Sequence, residues 1–225
     1  MQATLAFDVY GTLIDTNGVV SLLEESIGEK AKDFSQTWRD KQLEYSFRRG
    51  LMQTYDDFAV CTRQALDYTC LFCRVALTQE QKDRLLERYR TLAPFKDAEA
   101  ALSGLKSAGF RLYAFSNGCA EAVETLLAAA GMRGFFMGVV SVDEVKTFKP
   151  DPAVYNHFLR KAGVTGDSAW LISGNPFDII GAVSAGMRAA WVRRSEDVVF
   201  DPWGIEPTVT VGSLLELEKQ IAGFK

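Results

Sequence analysis

Four short stretches of the chain carry the side chains best suited to chemistry: Asp8-Val9-Tyr10-Gly11-Thr12-Leu13, Ser116-Asn117-Gly118, Lys149-Pro150-Asp151-Pro152 and Ser173-Gly174-Asn175-Pro176-Phe177-Asp178. Together they offer a carboxylate, small hydroxyls, an amide, a lysine and a second carboxylate. One such stretch would mean little, but four that meet at one mouth would make a site. There is a single histidine, His157, so a histidine-rich zinc site is excluded and a Ser-His-Asp triad would rest on that residue alone. Chemistry therefore falls to the carboxylates, hydroxyls and lysine, and His157 is read as a helix-surface residue. Cys70 and Cys73 form a C-x-x-C without a second pair or a strand-to-helix start. They and Cys61 and Cys119 are read as reduced cysteines packed in helices.

What would bring the four stretches together is an alternation of elements. Short apolar runs at Thr4 to Phe7, Arg111 to Phe115, Phe136 to Val140, Ala169 to Ile172, Ala189 to Val192 and Thr208 to Val211 predict buried strands. Amphipathic stretches at 97–108, 119–130, 151–162, 177–185 and 213–221 predict helices between them. Such a pattern predicts a parallel sheet covered on both faces, with ligands beyond the carboxyl ends of the strands, where the four stretches lie. From 16 to 92 no strand is evident, and helices are predicted over 19–27, 31–48, 55–68 and 79–89. The expected architecture is α/β: a Rossmann-like parallel-sheet core of residues 1–15 and 93–225, flanked by helices, with an inserted all-helical cap of residues 16–92.

Composition narrows the partners. The chain has 225 residues, 48% of them hydrophobic, enough to bury a core without disulfides or metals. Its formal charge of −4 advertises no nucleic-acid or anionic-membrane partner. The first residues lack a basic signal region and no run of eighteen apolar residues occurs, so a cytoplasmic chain is expected.

The four stretches resemble the haloacid dehalogenase superfamily, whose pattern is a strand ending in D-x-x-G-T-L, then a Ser or Thr, then a Lys, then an acidic loop. The resemblance runs from Ala6 to about Gly186, with the motifs in the family's order. It implies that Asp8 is a covalent nucleophile, a role suited to a group already ionised at neutral pH. Most members are Mg²⁺-dependent phosphotransferases with D-x-D, whose second Asp protonates the leaving group. Tyr10 stands there and cannot act as a carboxylic acid at pH 7. Asn175 stands where those enzymes place a metal carboxylate, which leaves Mg²⁺ poorly supplied with anionic oxygens. No metal and no cofactor are therefore expected. Halide needs no proton to leave, and the Tyr10 form closely resembles the L-2-haloacid dehalogenases of the superfamily. Ser35 to Phe47 supports this, because it is similar to their W-R-x-K-Q-L-x-Y segment and would put Arg39, Leu43 and Ser46 on one helix face.

The resemblance implies attack by Asp8 on C2 of a short L-2-haloacid, with inversion, and hydrolysis of the resulting ester by water to a D-2-hydroxyacid. Thr12 and Ser173 would hold the Asp8 carboxylate or polarise its ester. Lys149 would balance its charge, Asp178 would position the hydrolytic water or Lys149, and Asn175 would share in orienting that water. Tyr155 would stand near Lys149. Ser116 would bind the substrate carboxylate with backbone N–H groups around Val9, while Arg39 and Asn117 would receive the halide. Tyr10, Leu43, Phe58 and Phe177 would wall the alkyl group. Asp40, where the family commonly has a neutral residue, would oppose the anionic substrate or tether Arg39. Phe177 replaces a common Trp. A homodimer is also implied, with no residue pattern marking its interface. Three other readings stay open: the same mechanism on fluoroacetate or a strained cyclic amino acid, a Mg²⁺-dependent phosphatase, and a non-enzymatic binding module.

Overall fold

The computed structural model describes residues 3–224. Six strands form one parallel sheet: β1 (Thr4–Phe7), β2 (Arg111–Ser116), β3 (Gly138–Ser141), β4 (Ala169–Ser173), β5 (Arg188–Val192) and β6 (Val209–Val211), ordered β3-β2-β1-β4-β5-β6. The order reverses at β1, which pairs with β2 (Phe7 opposite Ala114) and with β4 (Phe7 opposite Ile172). A crevice at such a reversal is where an open α/β sheet takes its ligand. The loops after β1, β2 and β4 flank this point.

Alternating side chains send the strands into two cores. Leu5, Phe7, Leu112 and Ile172 pack with α5 (Ala98–Ser107), α6 (Ala120–Ala129) and α9 (Leu217–Ala222). Ala6, Phe115, Val140 and Leu171 face the other way, against α7 (Pro152–Ala162) and α8 (Pro176–Ser184). Asp151 caps α7 through the Ala153 N–H at 2.8 Å, and Pro152 supplies the preset φ of a first helical residue, so Lys149 is held just before a rigid start.

Between β1 and β2, α1 (Val20–Ile27), α2 (Ala31–Leu51), α3 (Phe58–Phe72) and α4 (Gln79–Tyr89) precede α5. Trp38, Leu66, Leu85 and Tyr89 from these helices join the first core, while Phe58 and Cys61 join the second. Asp57 starts α3 by accepting the Val60 N–H at 2.9 Å. This places the start three residues later than the apolar pattern predicts. β3 starts two residues later than predicted, because the 133–135 turn carries Phe136, whose ring packs on Phe7 with centroids 6.1 Å apart.

Two readings of single residues are corrected. His157 is buried rather than on a helix surface, because its face of α7 packs on the 142–144 turn, with Nε2 3.6 Å from a Glu144 carboxylate oxygen. Cys119 is the N-terminal flanking residue of α6, half-buried beside the β2 loop, whereas Cys61 and Cys70 are packed inside α3.

Candidate active site

The first strand ends in a tight turn. The Val9 carbonyl accepts from the N–H groups of Thr12, Leu13 and Ile14, and Gly11 adopts φ +84°, a conformation that disfavours any side chain. The turn aims the Asp8 carboxylate at the mouth. Its Oδ2 accepts from Thr12 Oγ1 at 2.7 Å and from Asn175 Nδ2 at 2.8 Å, while among the described residues its Oδ1 accepts from Lys149 Nζ alone, at 3.1 Å. The N–H groups of Val9 and Tyr10, next in line, donate to no group among the described residues. Neighbouring free N–H groups are the kind of donors an anion takes.

Lys149 is fully buried. Its three ammonium hydrogens meet three acceptors: Asp178 Oδ2 at 2.8 Å, the Phe115 carbonyl at 2.9 Å and Asp8 Oδ1. Burial alone would favour the neutral amine, but the Asp178 and Asp8 charges outweigh it and raise the lysine pKa. Lys149 is thus a permanent cation. Asp178, at the first turn of α8, is also buried, and its carboxyl pKa is raised by burial, partly offset by Lys149. Its Oδ1 accepts from the Tyr155 hydroxyl at 2.8 Å. The Tyr155 phenol is pushed well above its ordinary range by burial and the Asp178 charge, so it stays a donor.

The remaining residues fall around this centre. The Asn117 Oδ1 accepts the Lys149 backbone N–H at 3.0 Å, and its Nδ2 has no hydrogen-bond partner among the described residues. The buried Ser116 hydroxyl accepts the Gly118 N–H at 3.0 Å. Ser173 does not reach Asp8: its hydroxyl accepts the Asn175 N–H at 3.1 Å, shaping the turn that delivers the Asn175 amide. Tyr10 packs its ring by Phe58 and Tyr89, at centroid distances of 6.2 and 6.3 Å. Burial, then Tyr89 and Cys119, raise its phenol pKa, so it is a neutral wall. Phe177 meets Phe47 of α2 at 5.0 Å, and half-buried Leu43 stands one helical turn beyond Arg39.

Arg39 comes from α2, outside the sheet. Its Nη2 reaches the Tyr10 carbonyl at 3.4 Å and its Nη1 donates to Gln42 Oε1 at 2.6 Å. Asp40 does not tether it. That side chain is exposed and accepts from Gln36 Nε2 at 2.8 Å. A larger hollow of about 770 Å³ lies at the other end of the sheet, among Thr4, Gly109 and Arg111, and shares no residue with this site.

Several contributors carry no motif. Gln42 sits behind Arg39. Arg194, paired with Asp97 at 2.8 Å, donates to the Thr12 carbonyl. Gly181 leaves room for Tyr155, since a Cβ there would lie 2.4 Å from the phenol oxygen. The donor set does not suit a magnesium ion. The group Asn175 turns to Asp8 is an N–H donor, and the cation that the two carboxylates share is an ammonium.

A family model described as haloacid dehalogenase-like hydrolase matches residues 3–186. The chain is 37% identical over 207 residues to haloacetate dehalogenase H-2 of Moraxella sp. (strain B), covering 92% of each chain. It is 35% identical over 222 residues to an (S)-2-haloacid dehalogenase of Pseudomonas sp. (strain YL), covering 97% of this chain and 95% of the relative. Among solved structures, L-2-haloacid dehalogenase from Xanthobacter autotrophicus with chloropropionic acid covalently bound superposes with a TM-score of 0.92 at 30% identity, over the full length of both chains. With its Asp8 turn, lysine and acidic loop converging on one strand reversal, and with relatives alike over more than nine-tenths of its length, the chain belongs to the haloacid dehalogenase-like hydrolases.

Proposed function

We propose that this enzyme hydrolyses short (S)-2-haloalkanoic acids to D-2-hydroxyacids, with inversion at C2 and through an ester on Asp8. The observation that carries the reading is the unequal loading of the Asp8 carboxylate. Oδ2 holds two hydrogen bonds and Oδ1 one, so Oδ1 keeps a lone pair for attack.

Residues 16–92 serve as a cap whose α2 brings Arg39 to the mouth. The substrate carboxylate is held by Ser116 and the free N–H groups of Val9 and Tyr10. Its halogen faces Arg39 and the free amide of Asn117. Asp8 Oδ1 forms the new bond to C2 as the carbon–halogen bond breaks on the opposite side, and the halide leaves with the electron pair. Tyr10, Leu43, Phe58 and Phe177 enclose the alkyl group. Oδ2 is then the ester carbonyl oxygen, still facing Thr12 and Asn175, which stabilise the oxyanion when water attacks Asp8 Cγ. One proton of the water passes by way of Asp178 to Oδ1 as the Cγ–Oδ1 bond breaks and the other is released to solvent, so the hydroxyacid leaves with Oδ1 and Asp8 is restored with the water's oxygen. The four cysteines are unpaired, which suits a reducing compartment, and the enzyme is assigned to the cytoplasm.

The test is halide release from (S)- and (R)-2-chloropropionate with EDTA present, with the lactate configuration determined. Release from the (S) form alone, giving D-lactate, is expected. Dependence on Mg²⁺, or L-lactate as product, would overturn the mechanism.

A further inference from the structure

In the reading above Arg39 is the cation that receives the leaving halide. It forms no ion pair with any carboxylate among the described residues. Besides the Tyr10 carbonyl, its partner is an amide: Nη1 donates to Gln42 Oε1 at 2.6 Å. Gln42 has no exposed surface, so it does not touch a substrate. Its Nε2 donates to Thr62 Oγ1 at 2.5 Å, and Thr62 Oγ1 donates to the Phe58 carbonyl, one turn back on α3, at 2.7 Å. The Thr62 carbonyl accepts the Trp38 indole N–H at 2.9 Å, so α2 and α3 are tied twice at this level.

The direction of this chain of bonds is determined by its far end. A hydroxyl has one proton, and that of Thr62 is spent on the Phe58 carbonyl, so Thr62 offers only lone pairs to Gln42. The amide must therefore turn its NH₂ to Thr62 and its oxygen to Arg39. The reverse orientation would bring two sets of N–H donors together at Arg39.

We propose that Gln42 and Thr62 are positioning residues for halide departure. They fix the guanidinium over the mouth, and they do so with a neutral acceptor. A carboxylate at position 42 would orient Arg39 as well but would neutralise it, leaving less positive potential for the halide. The inference rests on Arg39 as halide acceptor and adds what gives that arginine its direction and its undivided charge.

The test compares Gln42→Glu, Gln42→Met, Thr62→Val and Thr62→Ser with the wild type. Single-turnover rates of ester formation are measured from (S)-2-chloropropionate and (S)-2-bromopropionate, and ester hydrolysis is followed separately. Chloride is the poorer leaving group and needs more help. Thr62→Val and Gln42→Glu are expected to slow ester formation from the chloride on the order of tenfold, the scale of one charge-assisted hydrogen bond. The bromide should be slowed less, so the bromide-to-chloride ratio rises several-fold, while ester hydrolysis stays within about twofold. Thr62→Ser, which keeps the hydroxyl, should restore the wild-type ratio. Thr62→Val keeps the volume of the side chain and guards against misfolding of the Gln42 variants. If formation and hydrolysis fall together, or the ratio stays at the wild-type value, Gln42 and Thr62 only join two helices and the inference fails alone. A wild type that releases neither halide would remove the halide-acceptor reading and the inference with it.

Discussion

Replacing Lys149 by Met should change how stability depends on pH, not merely lower it. The ammonium stands 3.1 Å from Asp8 and 2.8 Å from Asp178 with 1% of its side chain exposed. In the wild type its raised pKa means that its stabilisation is complete at neutral pH and lost only above the ordinary lysine range. Without it Asp178 keeps the two influences that raise its pKa, burial and the Asp8 charge, and loses the main one that lowers it. Folded Asp178 then holds a proton that the unfolded chain has released above its ordinary value of 3.8. The native state binds more protons, so unfolding free energy falls as pH rises, by up to about 1.4 kcal/mol per unit. Over the three units from pH 5 to 8 the loss should reach at most about 4 kcal/mol. Urea unfolding of both proteins, followed by tryptophan fluorescence from pH 5 to 8, measures the difference. The variant should already be less stable than the wild type at pH 5 and fall further behind as pH rises. A difference that is constant across this range would show that Asp178 keeps its ionisation without Lys149 and would refute the argument.

Two further substitutions probe the donors around Asp8. Asn175→Ala removes one of the two donors to Oδ2, and ester hydrolysis should slow by about 10²–10³-fold, the usual effect of losing one oxyanion donor. Ester formation should suffer less, so mass spectrometry of the variant with (S)-2-chloropropionate should find the Asp8 ester accumulated; its absence would place Asn175 elsewhere in the mechanism. Gly181→Ala puts a Cβ 2.4 Å from the Tyr155 oxygen and 2.8 Å from Pro150 Cβ. It should cost about 1–3 kcal/mol of stability through overpacking and lower turnover, as measured by urea midpoint and halide release.

How much of this was legible in the chain depends on whether a residue acts within one element or across two. β1 is visible because a central parallel strand is buried on both faces and reads as an unbroken apolar run, and its predicted and observed limits coincide at Thr4–Phe7. Asp8, Thr12, Ser116, Asn117, Lys149, Asn175 and Asp178 are visible because polar residues that end apolar runs gather at one edge of the sheet. Ser173 belongs to the same motif, yet a hydroxyl one residue from the turn can bond its own loop as easily as Asp8, and it does so with the Asn175 N–H. His157 is misplaced by its polar character, because only the packing of α7 on the 142–144 turn shows which face is covered. The link from Gln42 to Thr62 is out of reach, since 20 residues separate them and their meeting depends on the rotation of α2 against α3. Gly181 reads as an ordinary small helix residue until Tyr155 is placed against it.

The two halves of the proposed reaction sit on different parts of the chain, and one atom joins them. The nucleophile and its donors hang from the strand ends, where Thr12, Lys149 and Asn175 converge on Asp8. The cation for the leaving group hangs from α2. The Tyr10 carbonyl accepts from Asn175 Nδ2 at 3.1 Å and from Arg39 Nη2 at 3.4 Å, so the donor behind the nucleophile and the cation ahead of the halogen are held by the same oxygen. Attack moves one negative charge from Asp8 to the halide without changing the total. A site for this reaction needs a cation at each end of that path and no proton donor at the leaving group. Lys149 and Arg39 meet the first need. Tyr10, a neutral ring where the phosphotransferases keep an acid, meets the second. The same turn thus withdraws the acid and supplies the carbonyl that aligns the arginine, which makes halide, rather than an alkoxide that must be protonated, the group this geometry favours leaving from C2 in the first step.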